Sequence, residues 1–286
     1  MDGNIRPAAA AGSFYGADAG MLRYQLAQLR LPEPEAGVHG CMVPHAGYVF
    51  SMPTALRTLA RAKGTAVTRA VIIGPSHRRF FAGAAAASYD QWATPFGPMP
   101  LDREGFRLLT GDAPPELFTD NTPHEQEHSI EVELPLLRFL FGELPILPLL
   151  VCALNEETGK RIGERLALLD TPGTLWVISG DFTHYGRSFN YTPFGLPCPR
   201  KRLNAQDREA AELIAGRDLP GLDRFLRRTD ATICGINPAV LYLRMLEHAG
   251  RPVTGQVTAV TDSSAVSRDL DHVVGYAGIV FRETAS

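Results

Sequence analysis

The chain has 286 residues, of which 45% are hydrophobic and 21% charged, and its formal net charge is −3. That length and balance suit a globular protein with a full-sized core. A slightly acidic chain argues against general nucleic-acid binding, which needs a basic surface.

Residues 1–20 contain no basic segment followed by an apolar one, so no secretion signal is expected. The most apolar stretch, 144–154, is interrupted by Pro145 and Pro148, and falls well short of the roughly 20 residues a membrane helix needs. Cys41, Cys152, Cys198 and Cys234 are scattered, with no C-x-x-C pair. Reduced thiols and a cytoplasmic location are the expectation.

Along the chain, apolar runs of strand character alternate with amphipathic stretches, which predicts an α/β architecture. Strands are expected over 39–44, 70–74 and 83–88, with a helix over 52–63 after the first. Residues 128–141 have helical spacing that Pro135 must kink or end. A buried strand over 144–153 leads into a helix over 156–169, and another strand covers 175–179. Helices follow over 204–215 and 219–227. Asn237 is placed to cap a helix with Pro238 at its first position, running to about residue 248. Strands over 254–260 and 272–282 close the chain. No Gly-, Ser- or Pro-rich linker divides it, so residues 1–286 read as one domain.

Three of these strands end alike. Cys41-Met42-Val43-Pro44 runs into His45-Ala46-Gly47-Tyr48, and Val71-Ile72-Ile73 runs into Gly74-Pro75-Ser76-His77. Trp176-Val177-Ile178-Ser179 runs into Gly180-Asp181-Phe182-Thr183-His184. In open α/β sheets, ligands bind beyond the carboxyl ends of the strands, where the loops converge. Loops that deliver His, His and Asp with His to one edge suit a metal or acid–base site. A lone histidine in a turn is ordinary; three after three apolar runs share one explanation.

Residues 124–128 read His-Glu-Gln-Glu-His, the literal zinc-protease pattern. That motif works only inside a helix, and Pro123 places His124 at a helix start instead. A charged first helical turn, with glutamates near the positive end of the helix dipole, is the plainer reading. Cys234 precedes a predicted helix, a setting that favours the thiolate, the form that binds metal. Ser76, His184 and Asp181 could be drawn as a catalytic triad, although nothing in the sequence fixes their geometry. Dinucleotide, P-loop and G-x-S-x-G signatures are missing.

Taken together, these segments resemble the Memo family, whose prokaryotic members are also called AmmeMemoRadiSam system protein B. The shared motifs run from Arg6-Pro7 and Gly12-Ser13-Phe14-Tyr15 through Pro44-His45-Ala46-Gly47-Tyr48 and Gly74-Pro75-Ser76-His77. They continue through Thr94-Pro95-Phe96-Gly97, Glu127-His128-Ser129-Ile130-Glu131 and Asp181-Phe182-Thr183-His184-Tyr185. Cys234-Gly235 and Val274-Gly275-Tyr276-Ala277-Gly278 complete the set.

The resemblance implies a class III extradiol dioxygenase-like fold, a central mixed sheet flanked by helices. It implies a metal site of His45, His77 and Cys234, with iron or copper ahead of zinc, and a pocket shared with His128, Asp181 and His184. The dioxygenases use two histidines and a carboxylate. A cysteine in place of the carboxylate makes a softer set and turns the expectation away from ring cleavage. The expected function is a metal-dependent redox, oxygenase-like reaction on an unknown small substrate. His184 would act as general acid/base, Asp181 would orient it or ligate, and His128 would hydrogen-bond substrate. A non-enzymatic module binding a peptide or small anion, and a zinc-dependent hydrolase, are the competing readings. The family name implies a functional link to a radical SAM protein and an AMMECR-type protein.

Overall fold

In the computed structural model, which describes residues 4–284, the apolar runs assemble into one nine-stranded mixed sheet. Residues 1–3 and 285–286 of the expected domain lie outside the described residues. The strands lie in the order His184–Gly186, His272–Glu283, Val38–Val43, Thr174–Ser179, Arg69–Pro75, Ile146–Val151, Ala84–Ala86 and Leu117–Thr119. Val253–Asp262 pairs with the other side of His272–Glu283.

The four strands from Val38–Val43 to Ile146–Val151 run parallel, with Gly40 opposite Trp176, Val71 opposite Trp176 and Ile72 opposite Pro148. His272–Glu283 on one side and Ala84–Ala86 on the other pair with them antiparallel, which makes the sheet mixed. Parallel neighbours require crossover connections, and helices supply them on both faces.

Successive side chains leave a strand on opposite faces, so each central strand feeds two cores. Met42, Val71, Ile73, Leu147, Leu149, Trp176 and Ile178 face one, against Ile162 and Leu166 of the helix Glu156–Ala167 and Leu241 to Leu246 of the helix Ile236–Ala249. Cys41, Val43, Ala70, Ile72, Leu150, Leu175 and Val177 face the other, with Ala55, Leu56 and Leu59 of the helix Tyr48–Ala60. Burial on both sides is why these strands read as unbroken apolar runs.

Three expectations need correction. The first crossover helix begins at Tyr48, earlier than residue 52, because the Tyr48 N–H finds the Phe14 carbonyl at 2.7 Å. That contact satisfies a first-turn donor that otherwise has no partner. Over 128–141, a short 3₁₀ turn, Glu131–Glu133, precedes the helix Leu134–Phe141. Pro135 lies in that helix's first turn, where its missing N–H costs nothing, so it opens the helix. Asn237 lies inside the helix Ile236–Ala249, whose cap is Gly235, and its side-chain amide donates to the Cys152 carbonyl at 2.5 Å. Among the described residues no helix is long and apolar enough to cross a membrane.

Candidate metal centre

Val38–Val43, Thr174–Ser179 and Arg69–Pro75 are parallel neighbours, so their carboxyl ends emerge side by side. His45, Asp181 and His77 each stand two residues past one of these ends. Cys234 reaches them from the loop before Ile236–Ala249. Thr183 and Ile233 form an antiparallel bridge there, and the Gly235 N–H donates to the Asp181 carbonyl at 3.2 Å. A Cβ on Gly180 would lie 2.2 Å from the Gly235 Cα. Backbone packs on backbone at that point, and only two glycines allow it.

The ligand atoms of His45, His77 and Cys234 lie within 4.8 Å of one another, and the His45 Nε2 is 3.5 Å from the Cys234 Sγ. A tetrahedral ion with sulfur at roughly 2.3 Å and nitrogen at roughly 2.0 Å places those two ligands about 3.5 Å apart. The trio therefore fits a metal. Burial, then the neighbouring His77 and His128, hold the His45 pKa well below 6.5, so the ring is neutral. Burial, then the Asp181 carboxyl, push the Cys234 thiol well above its usual value. Burial outweighs the helix terminus in setting that direction, and a metal ion held by the sulfur would take it as the thiolate.

His77, Glu127 and His128 form a second grouping of ligand type. Its carboxylate is already fully engaged. Glu127 Oε2 accepts from the His77 and Arg78 N–H groups at 2.5 and 3.3 Å. Oε1 accepts from the His77 Nδ1 at 3.0 Å and from the His128 and Ser129 N–H groups at 2.9 and 3.1 Å. Burial alone would raise its pKa, but the His128 and His77 rings outweigh that and keep it far below the carboxylate range. An ionised carboxylate receiving the His77 Nδ1–H fixes that ring's tautomer and leaves Nε2 for a metal, the usual outer support of a histidine ligand. Sequence reasoning passed over Glu127, reading it as a helix-dipole charge. Its signal was its place beside His128, in the segment 127–131 that the family resemblance picks out.

The His128 Nδ1 lies 3.1 Å from Glu127 Oε1 but outside hydrogen-bonding geometry. Its ring stacks on His77 at 4.8 Å and on Phe14 at 4.2 Å. Phe14 is held there by a buried pair: Arg6 Nη1 donates to Glu131 at 2.6 Å, and Glu131 also accepts from the Ala9 and Ala10 N–H groups and the Tyr15 hydroxyl. Arg6 donates further to the His124 and Glu127 carbonyls. Two distant motifs thus form one clamp over the site.

Behind His45, its Nδ1 is 2.8 Å from the Ser179 Oγ. Asp181 Oδ1 accepts the His45 N–H at 2.9 Å, and burial raises the Asp181 pKa to about 7 against the His45 and Ala46 N–H bonds that lower it. Asp181 therefore supports the His45 backbone and does not orient His184. The His184 Nδ1 lies 3.0 and 3.1 Å from the Phe182 and Thr232 carbonyls, so it carries the hydrogen and Nε2 is left as a base. Burial first lowers the His184 pKa.

Two other patterns in the sequence dissolve. His124 sits at the end of a 3₁₀ turn, fully buried, with Nε2 on the Ala85 carbonyl at 3.0 Å. Without a helix it shares no face with His128, and zinc-protease geometry is excluded. The Ser76 hydroxyl donates to the Arg79 carbonyl at 2.6 Å, and no triad forms. His45, His77, His128, Asp181 and His184 line one cavity of about 510 Å³, whose outer wall includes Phe50, Arg78, His272 and Tyr276.

The family model described as Memo-like protein matches residues 6–280. The chain belongs to the Memo family. A MEMO1 family protein of Methanopyrus kandleri is 32% identical, covering 97% of this chain and 99% of its own. A MEMO1 family protein of Thermococcus onnurineus is 33% identical over 98% of this chain and 100% of its own. The memo-1 homolog of Caenorhabditis elegans is 30% identical over 97% and 83%. Among solved structures, an uncharacterized protein of Escherichia coli K12 superposes with a TM-score of 0.51 at 13% identity, over 84% of this chain and 99% of that one. That likeness supports the α/β fold alone. For Memo membership, Arg6 and the 270s strand mark the two ends of a match that takes in every residue of the centre.

Proposed function

We propose that this Memo-family chain acts as one domain in the cytoplasm, as a metal-dependent redox enzyme with an oxygenase-like site for a small substrate. His45, His77 and Cys234 would hold iron or copper. The observation that carries this reading is the meeting of two imidazoles and one sulfur beside an open cavity that both imidazoles line. Such a mixed set suits iron, copper or zinc and disfavours hard cations. When bound, an ion there supplies redox and Lewis-acid chemistry to a molecule in the cavity.

The chain's own residues do the rest. Glu127 keeps the His77 Nε2 turned outward by holding its Nδ1–H. His184, neutral and fixed through Nδ1, offers Nε2 to take a proton from substrate and return it. His128, sandwiched between Phe14 and His77, presents its ring edge to the cavity as a hydrogen-bonding group. Asp181 ties the His45 backbone in place.

Elemental analysis of protein purified anaerobically, without a chelating tag, tests the reading. Stoichiometric iron or copper is expected in the wild type and none in Cys234→Ala. Equal metal in both proteins removes Cys234 from the site, and zinc as the sole metal redirects the reading to hydrolysis.

A further inference from the structure

Ser179 stands behind His45 with more partners than one hydroxyl hydrogen can serve. Its Oγ lies 2.8 Å from the His45 Nδ1, 2.6 Å from the Ser129 carbonyl oxygen and 3.1 Å from the Glu133 Oε1. A hydroxyl donates once and accepts up to twice. The Ser129 carbonyl can only accept, so at 2.6 Å it takes the Ser179 hydrogen. The two remaining contacts must then donate to Ser179. The His45 Nδ1 does so as N–H, and Glu133 Oε1 does so only as O–H.

We propose that Glu133 is a neutral carboxylic acid donating to Ser179, and that this pair holds His45 as its Nδ1–H tautomer with Nε2 directed at the Cys234 sulfur. The inference rests on the metal reading only for what Nε2 then binds.

The surroundings of Glu133 agree. It is fully buried, and its Oε2 has no hydrogen-bond partner. An ionised carboxylate with a bare buried oxygen is far costlier than a neutral acid whose carbonyl is unpaired. The titratable groups that act on it, Asp181 and the Tyr48 phenol, are acidic, and the buried Arg6 is committed to Glu131. Burial, then Asp181, raise its pKa well above the usual carboxyl range, with only the Ser179 contact acting the other way. Glu133 touches none of the three ligands, so it is a positioning residue. It works on His45 through Ser179.

Three readouts test this. Infrared difference spectra of metal-free wild type minus Glu133→Gln at pH 7 are expected to show a protonated-carboxyl stretch that shifts in D₂O. Long-range ¹H–¹⁵N spectra of the same metal-free protein are expected to show His45 as the Nδ1–H tautomer, in wild type and in Glu133→Gln, whose amide can still donate to Ser179. Titration with Co²⁺, read by its thiolate charge-transfer absorption, is expected to weaken about 10- to 100-fold in Ser179→Ala and to stay unchanged in Glu133→Gln. Carboxylate bands only in the difference spectrum, or an Nε2–H tautomer in the wild type, overturn the proposal. So does Ser179→Ala binding Co²⁺ like the wild type. Glu133→Gln, a neutral near-isostere, guards against mere misfolding. If the wild type binds no Co²⁺ at all, the metal reading fails while the infrared and tautomer results still decide this one.

Discussion

One strand of this protein carries a buried histidine at each end. His39, near the start of Val38–Val43, is 4% exposed, and His45, just past its end, is 2% exposed. Burial does not distinguish them; their unused nitrogens do. The His39 Nδ1 meets the Tyr242 hydroxyl and Nε2 meets Asp170 Oδ1, both at 2.8 Å, and Asp170 also binds Trp176 and Arg251. That network is closed. His45 engages Nδ1 with Ser179, leaves Nε2 facing the Cys234 thiol, and lines an open cavity. A histidine with both nitrogens satisfied holds the fold, and one with a nitrogen left over is free to bind.

The contrast is broken most directly by truncating each ring. His39→Ala is expected to cost about 3–5 kcal/mol, through a core cavity and orphaned partners. The metal content of the molecules that remain folded should not change. His45→Ala is expected to lose the metal while costing less in the metal-free protein, since only Ser179, the Cys234 thiol and a cavity wall are affected. Urea unfolding of the metal-free variants, with elemental analysis beside it, measures both. A folded His39→Ala protein stripped of metal would erase the distinction.

The two metal-facing histidines differ in how they are backed, which gives a smaller effect. His45 leans on a hydroxyl and a buried acid, whereas His77 leans on the ionised Glu127. Glu127→Gln removes the charge and turns a donor toward groups that are themselves donors. Metal affinity should fall about 10- to 100-fold, measured by competition with a chelator of known strength. Unchanged affinity would mean that the five N–H bonds to Glu127 serve only to shape the turn.

Position on strands was what the sequence disclosed best. His45, His77 and Asp181 stood out because continuous apolar runs ended in Gly- and His-rich turns, and a doubly buried parallel sheet writes that pattern directly. His39, inside an expected strand, raised no signal. Cys234 was legible mainly through family likeness: its closeness to His45 depends on Gly180 meeting Gly235, a contact between residues far apart in the chain. Glu127, Ser179 and Glu133 were passed over for the same reason, because a side chain's role as support shows only when its partners do. Local signals were also missed. Asp18 and Asp102 cap the helices Ala19–Ala27 and Arg103–Thr110 through the Met21 and Gly105 N–H groups, yet neither helix was anticipated. The three-stranded sheet of Ile5–Arg6, Gln91–Trp92 and Met99–Pro100 is too short in each strand to show a period.

His124 sharpens the rule taken from His39 and His45. It too has a spare nitrogen, since Nδ1 finds no partner, but the ring is fully buried, edge-on to Trp92, and is not part of the cavity that the metal centre lines. An unused nitrogen therefore counts toward function only where a ligand can reach it. A sealed ring resists protonation: burial, with Arg6 nearby, lowers the His124 pKa from 6.5 to about 3. The unfolded chain takes up this proton first as pH falls. The stabilisation is thus complete above about 6.5 and is lost progressively toward 3, by at most about 1.4 kcal/mol per pH unit. His124→Gln, which keeps a donor for the Ala85 carbonyl, should flatten the wild type's decline in unfolding free energy between pH 6.5 and 4 by up to that slope. Parallel curves for the two proteins would show that the ring gains its proton within the fold, and that burial alone does not close a histidine.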